Sequence, residues 1–247
     1  MNSTATQTGL FSTDRRDKWW VGPLASGLGL AAFGAYSTWA AAIGVHYEFG
    51  PYLSPFYAPL IKWDAFPFSP AFLILWAPLG FRATCYYYRK AYYRAYFMDP
   101  PGCAVGEFRG HGYKGETSFP FIIQNVHRFF MYVAVLFIFM LGYDAVKAFT
   151  WDGQFGIGVG TIIMTINVLL LGSYTFGCHS LRHVIGGKTD CFSCTKFGPV
   201  KFQAWRGVSF LNSRHQLFAW CSLFSVGFTD FYIRMCSMGI FTDVRLL

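Results

Sequence analysis

Five stretches of this chain are apolar for long enough to cross a lipid bilayer, and their recurrence constrains the fold more than any other feature. A helix needs roughly 20 predominantly apolar residues to span the hydrocarbon core. Runs at 20–43, 69–88, 119–146, 157–185 and 216–240 meet that length in a chain of 247 residues. The segments between them are too short for a separate soluble domain. Inside a bilayer each backbone amide must find its partner within the protein, so these runs are expected to be helices. The expected fold is all-α, a five-helix transmembrane bundle over 18–247, preceded by a polar, mobile tail over 1–17.

Composition agrees with this reading and excludes an ordinary soluble enzyme. Charged residues make up 13% of the chain and hydrophobic ones 54%, whereas soluble domains are about 25% charged. The 26 glycines and 28 phenylalanines suit closely packed helices with aromatic anchors at the interfaces. When the connecting segments are taken alternately, fourteen Lys and Arg fall on one side, and only Lys62, Lys147 and Arg245 on the other. Arg109, Lys114 and Lys188 are among the fourteen. The positive-inside rule then places the N-terminus in the cytoplasm and the C-terminus outside, in a multi-pass protein of the cell membrane. The net charge of +8 follows from that asymmetry and from attraction to anionic lipid or an acidic partner, with no need for nucleic acid.

No small-residue cleavage site follows the first apolar run, so that run is expected to be an anchor rather than a removed signal. Between the first two runs, the four prolines from Pro51 to Pro67 and the surrounding aromatics predict an ordered cap at the outer interface. The basic, aromatic stretch 188–215 and the Pro/Gly-rich stretch 89–118 are expected to form the surface where lipid headgroups or soluble subunits dock. Of the seven cysteines, Cys103, Cys178, Cys191 and Cys194 are expected to remain reduced on the cytoplasmic side.

The stretch "GCHSLRHVIGGKTDCFSC", 177–194, is the densest in potential ligands. Cys191 and Cys194 form a C-x-x-C pair, and His179 and His183 share one helix face at i and i+4. Two thiolates and two imidazoles suit either a tetrahedral zinc ion or a Rieske-like [2Fe–2S] centre. Rieske sites usually come as two separated boxes, each with one Cys and one His, and this stretch is not arranged that way. Cys178 is next in line as a ligand and His215 is in reserve. A haem approached by two histidines is the alternative.

Arg82, His127, Arg128 and Arg182 lie within or at the ends of apolar runs, where ionisable groups mark buried sites. Arg82, His127 and Arg128 are candidate quinone contacts, since a quinone needs hydrogen-bond donors at its carbonyls and a proton source. Arg82 and Arg128 can equally snorkel to phosphates. Asp144, Asp230 and Glu48 are candidates for a proton path or for simple pairing, and His46 reads as structural.

"GCHSLRHVIGG", with its Arg182–His183 pair, resembles the helix end near the quinone site in membrane anchors of succinate dehydrogenases and fumarate reductases. "YLSPFYAP", "TCYYYRKAYYRAYF", "FPFIIQNVHRFFMY" and "FAWCSLFSVGFTDFY" are similar to the large, single-subunit, five-span anchors of the actinobacterial type. The resemblance extends over nearly all of 19–234. It implies a complex II anchor that holds a flavoprotein and an iron–sulfur subunit on the cytoplasmic face, passes their electrons to membrane quinone and can enter higher oligomers. It also implies no catalytic activity for the anchor alone. The family commonly carries haem b between one His from each of two helices, but the fourth run has no His in its middle. The expected redox centre is therefore a Rieske-like [2Fe–2S] bound by His179, His183, Cys191 and Cys194.

Two other classes fit the sequence less well. A zinc-dependent membrane enzyme would need an open metal position and a general base, and no H-E-x-x-H or equivalent is present. A transporter would show internal repeats or broken helices around a midplane site, and neither is clear in the sequence.

Overall fold

A computed structural model describes residues 9–247 apart from 64, 108–116, 118, 120 and 188. Residues 1–8 of the expected tail, and Arg109, Lys114 and Lys188 of the charge count, lie outside the described residues. Helices dominate: α1 (Val21–Ile43), α2 (Ala71–Ala83), α3 (Tyr86–Tyr92), α4 (His127–Lys147), α5 (Val159–Phe176), α6 (His179–Gly186), α7 (Gly198–Ser213) and α8 (His215–Ser237). Two antiparallel two-residue hairpins, β1 (Glu48–Phe49) with β2 (Tyr52–Leu53) and β3 (Thr150–Trp151) with β4 (Gln154–Phe155), gather at one end, termed here the hairpin end. The opposite end carries the α2–α3 junction, α6 and α7.

α5 packs against α8 and α4, α2 against α4, and α1 against α3 and α8. Small residues make these approaches. A Cβ on Gly80 would lie 2.2 Å from the Phe130 ring, so only glycine admits that contact between α2 and α4. The large apolar side chains point the other way. Leu28, Leu79, Phe129, Phe139 and Leu169 are each at least 64% exposed, while Gly27, Ala41, Ala77 and Ala134 on the same helices are buried. Apolar outside and small inside is the reverse of a water-soluble bundle. The run Ile122–Lys147, which includes α4, and α5 are long and apolar enough to cross a membrane by length and composition, and α2 is a shorter apolar helix.

Two expected runs are broken. The second divides into α2 and α3 at Thr84 and Cys85, and the fourth into α5 and α6 at Gly177 and Cys178. The Thr84 hydroxyl donates to the Gly80 carbonyl at 2.7 Å and closes the last turn of α2. Cys85 and Cys178 then take the same extended conformation, with φ/ψ of −68°/132° and −62°/136°. Each is thereby the residue that caps the following short helix. Broken helices, which the sequence did not reveal, are thus present.

At the hairpin end the expected aromatic cap forms. Tyr47 stacks on Tyr57 at 4.1 Å, and the Tyr57 hydroxyl donates to the last carbonyls of α1, Ala40 (2.9 Å) and Ala41 (3.1 Å). Asp243 ties the C-terminal segment to the cap, accepting hydrogen bonds from the Gly160 amide (2.9 Å) and the hydroxyls of Tyr52 (2.8 Å) and Tyr232 (2.7 Å). Asp230 pairs with Arg234 on α8. At the other end, residues expected in a mobile tail are bonded to the 103–106 loop: Phe11 N to Gly106 O at 3.1 Å, Gly106 N to Ser12 O at 2.8 Å, and Thr13 Oγ1 to Ala104 O at 2.7 Å.

Candidate metal centre and adjoining cavity

The broken helices bring two cysteines and two histidines together. Cys85 and Cys178 stand at the breaks, and His127 and His215 are the first residues of α4 and α8. His127 Nε2 lies 3.3 Å from Cys178 Sγ, and His215 Nε2 lies 3.8 Å from Cys85 Sγ. Cys85, Cys178 and His215 are each at most 3% exposed, within a core cluster that includes Phe81, Tyr88, Met131 and Tyr174. Each half of the site thus takes one Cys from a helix break and one His from the start of a long helix.

The surroundings orient these groups. The Thr84 hydroxyl spends its proton on Gly80, so at 2.8 Å it accepts from His127 Nδ1–H. That bond leaves Nε2 of His127 with its lone pair toward Cys178, the arrangement that outer-shell partners impose on metal-binding histidines. Phe81 stacks on the His127 ring at 4.9 Å and 5°, and Tyr174 on the His215 ring at 4.8 Å and 18°. Nδ1 of His215 is buried without a hydrogen-bond partner among the described residues.

This donor set can be tested against the groups considered above. Among the described residues no three His, Cys, Asp or Glu converge on one metal ion, which leaves tetrahedral zinc without a cradle. A haem needs open space beside each imidazole, whereas both Nε2 atoms face a thiol and neither ring is in the lining of the adjoining cavity. A Rieske-type [2Fe–2S] takes two thiolates on one iron and two imidazoles on the other. The buried donors fit that requirement in kind and number, and they come as the two separate Cys/His halves that the 177–194 stretch lacked.

The ligands expected from that stretch are not gathered. His179 and His183 lie on an exposed face of α6, and Cys191 and Cys194 are joined as a disulfide. Both sulfurs are consumed by each other, and the expectation that these cysteines stay reduced is not met. Their C-x-x-C turn packs through Phe192, whose ring meets Phe202 at 5.4 Å and Trp205 at 5.9 Å. Arg182 braces α6 to α7, donating to Ser209 Oγ at 2.9 Å with its guanidinium 5.0 Å from the Trp205 ring.

A cavity of about 720 Å³ adjoins the quartet, and Phe81 and Tyr174, which stack on the two imidazoles, form part of its wall. Arg82 also lines it. Its Nη2 donates to Ser222 Oγ at 3.1 Å, its Nη1 to Ala219 O at 3.3 Å and to the Tyr88 hydroxyl, and its guanidinium lies 4.9 Å from the Tyr174 ring. These bonds hold Arg82 in the core rather than at a phosphate surface. The Tyr174 hydroxyl is buried without a partner among the described residues. His127 sits behind Phe81, one ring from the cavity, and Arg128 is exposed and outside its lining.

A family model described as actinobacterial succinate dehydrogenase subunit SdhC matches residues 21–239. The chain belongs to that family. Among solved structures, this SdhC-family chain is similar to a chain of the Mycobacterium smegmatis Sdh1 complex in the apo form. Identity is 44% and the TM-score 0.87, over 97% of this chain and 99% of that one. No curated protein sequence matches it. As a succinate dehydrogenase subunit, the SdhC-family chain is a component of an oxidoreductase of the membrane.

Proposed function

We propose that this chain is the anchor of a succinate:quinone oxidoreductase, docking a flavoprotein and an iron–sulfur subunit on its basic end and delivering their electrons to quinone in the membrane. In this reading the chain crosses the membrane five times, on α1, α2–α3, α4, α5–α6 and α8, with the N-terminus in the cytoplasm and the hairpin end outside. The outward-facing apolar side chains and the segregation of Lys and Arg support this topology.

Cys85 and Cys178 would hold one iron, and His127 and His215 the other, of a Rieske-like [2Fe–2S]. Bound there, the centre would supply one-electron transfer between the docked subunits and the cavity. Thr84 fixes the His127 tautomer, and Phe81 and Tyr174 keep water from the imidazoles. A quinone headgroup in the cavity would accept a hydrogen bond from Arg82, which carries five N–H donors on a permanent charge.

The observation that carries this reading is that one pair of rings, Phe81 and Tyr174, both covers the Cys/His quartet and walls the cavity. Iron and acid-labile sulfide in the purified complex, beyond the content of the soluble subunits, test it, with a paramagnetic resonance spectrum recorded after reduction. The low average g of mixed His/Cys ligation is expected. A complex with no such signal and no additional sulfide would sink the cluster while leaving the family assignment intact.

A further inference from the structure

The cavity beside the quartet continues well beyond Arg82, as a slot between α1 and α2. Leu30, Gly34, Ser37 and Ala41 line it from α1, at i, i+4, i+7 and i+11. Phe72, Trp76, Leu79 and Ala83 line it from α2 with the same spacing. Each set is therefore one stripe along its helix, and the rise per residue makes the slot roughly 16 Å long. Its α2 edge is open. Phe72, Trp76 and Leu79 line the slot and are still 45–67% exposed, so it faces the surface that meets lipid. At the hairpin end it is closed by Phe56 of the cap, which is buried and meets the Phe33 ring edge-on at 6.3 Å.

Polarity changes from one end to the other. Arg82 is the only charged residue among the described residues that line the cavity, and the tyrosines Tyr88, Tyr92 and Tyr96 stand at its end. Toward the cap the two helices add polar side-chain atoms only at Ser37, Thr38 and Trp76. Ser37 and Trp76 spend theirs on helix carbonyls, those of Gly34 at 3.2 Å and Leu73 at 3.0 Å. An occupant thus meets one polar end and then a long apolar groove with little to hydrogen-bond.

We propose that this slot seats the first three or so isoprene units of a polyprenyl quinone, with the tail leaving sideways into the bilayer between α1 and α2. This rests on the quinone site proposed above and extends it to the tail. The headgroup lies at Arg82, and the length of the slot, roughly 16 Å, matches about three units of an extended prenyl chain. A phospholipid chain would fit the groove, but its phosphate would bring a full charge to Arg82, where three N–H donors are already engaged and no second cation lines the cavity. A neutral quinone carbonyl asks for one bond.

Gly34 is the residue on which tail recognition turns. A Cβ there would meet nothing within 4 Å, so a larger side chain enters the slot without displacing protein. Gly142 on α4 is equally open but does not line the cavity, and it serves as the control.

The test measures succinate-dependent quinone reduction by the intact complex in nanodiscs, with headgroups carrying zero to four isoprene units in both the benzoquinone and the naphthoquinone series. Comparing variant with parent at each length cancels the partition of the quinone into lipid. For Gly34→Leu the ratio of kcat/KM to the parent should be near one for the tailless headgroup and fall about tenfold by three units, the loss of apolar contact by roughly two methylenes, with no further fall at four. Gly142→Leu should give a ratio near one throughout. A Gly34→Leu ratio that does not vary with tail length, whether unchanged or uniformly lowered, overturns the slot, and the unchanged case would leave the groove to a lipid chain. An equal length dependence in Gly142→Leu overturns it as well. A parent complex that oxidises succinate with a soluble acceptor but reduces no quinone of any length would overturn the quinone site itself.

Discussion

Asp230 and Arg234 lie one turn apart on α8, at most 1% exposed, and the guanidinium reaches past its partner to the end of α1. It donates to Val45 O at 2.6 Å and Ala40 O at 3.2 Å, while Asp230 accepts at 3.4 Å from Arg234 Nε and at 2.6 Å from the Tyr36 hydroxyl. The Ser54 hydroxyl also donates to Asp230. One buried pair thus joins α1, α8 and the aromatic cap. Its bonds are local and saturated, which favours a fastening over a link in a proton path.

Removing one member should strand the other's charge. Arg234→Met is expected to destabilise the protein by about 3–5 kcal/mol, the usual cost of an uncompensated buried ion. Asp230→Asn/Arg234→Met should recover much of that loss, because both charges go together. Thermal unfolding of the detergent-solubilised complex checks this, and a single variant as stable as the parent would refute the fastening.

The quartet and the C-x-x-C turn make opposite predictions for two cysteines. Cys178→Ser should remove the additional iron, sulfide and resonance signal of the complex, while succinate oxidation with a soluble acceptor continues. Cys191→Ser should leave all of them unchanged. The reverse outcome would restore the 177–194 stretch as the ligand source.

Why the sequence directed attention to that stretch is a matter of tertiary packing. Hydrophobic length alone marked the runs that became α1, α4 and α8, because the bilayer-length criterion needs only local composition. The breaks at Thr84–Cys85 and Gly177–Cys178 left no such mark, since threonine, glycine and cysteine are all at home in membrane helices. Once broken, α2–α3 and α5–α6 turn their two cysteines inward to meet histidines that begin α4 and α8. Those four residues are remote in the chain, whereas the crowded 177–194 stretch is close only in sequence. Its histidines follow the amphipathic face of α6 outward, and its cysteines pair with each other. The paired pattern that could have exposed the site is a Cys inside an apolar run followed by a His that opens another, occurring twice.

Arg82 and Arg128 should also separate. Arg82→Leu removes the charged donor lining the cavity and should slow quinone reduction roughly 10- to 150-fold, corresponding to an ionic hydrogen bond of about 1.5–3 kcal/mol. Succinate oxidation with a soluble acceptor should be unaffected. Arg128, exposed and away from the cavity, should tolerate leucine with little change in either activity. Parallel loss of both activities in Arg82→Leu would indicate failed assembly instead of a lost quinone contact.

Alkaline stability should report on Tyr52, whose ring lies against Gly160 and whose hydroxyl donates to Asp243. Burial, with the Asp243 carboxylate adding to it, pushes the Tyr52 phenol up to about 12 from its ordinary value near 10, and the Thr161 hydroxyl opposes this only in part. Because the folded-state value is the higher one, the contribution to stability is complete below pH 10. Above that, the unfolded chain releases this proton while the folded chain still holds it, so stability declines as the pH rises from 10 toward 12. Tyr52→Phe should remove this contribution to the decline at the cost of the bond to Asp243, lowering stability at neutral pH. The check is the unfolding temperature of parent and variant between pH 8 and 12, flanking that window. Parallel curves would show that the cap does not depend on the Tyr52 proton.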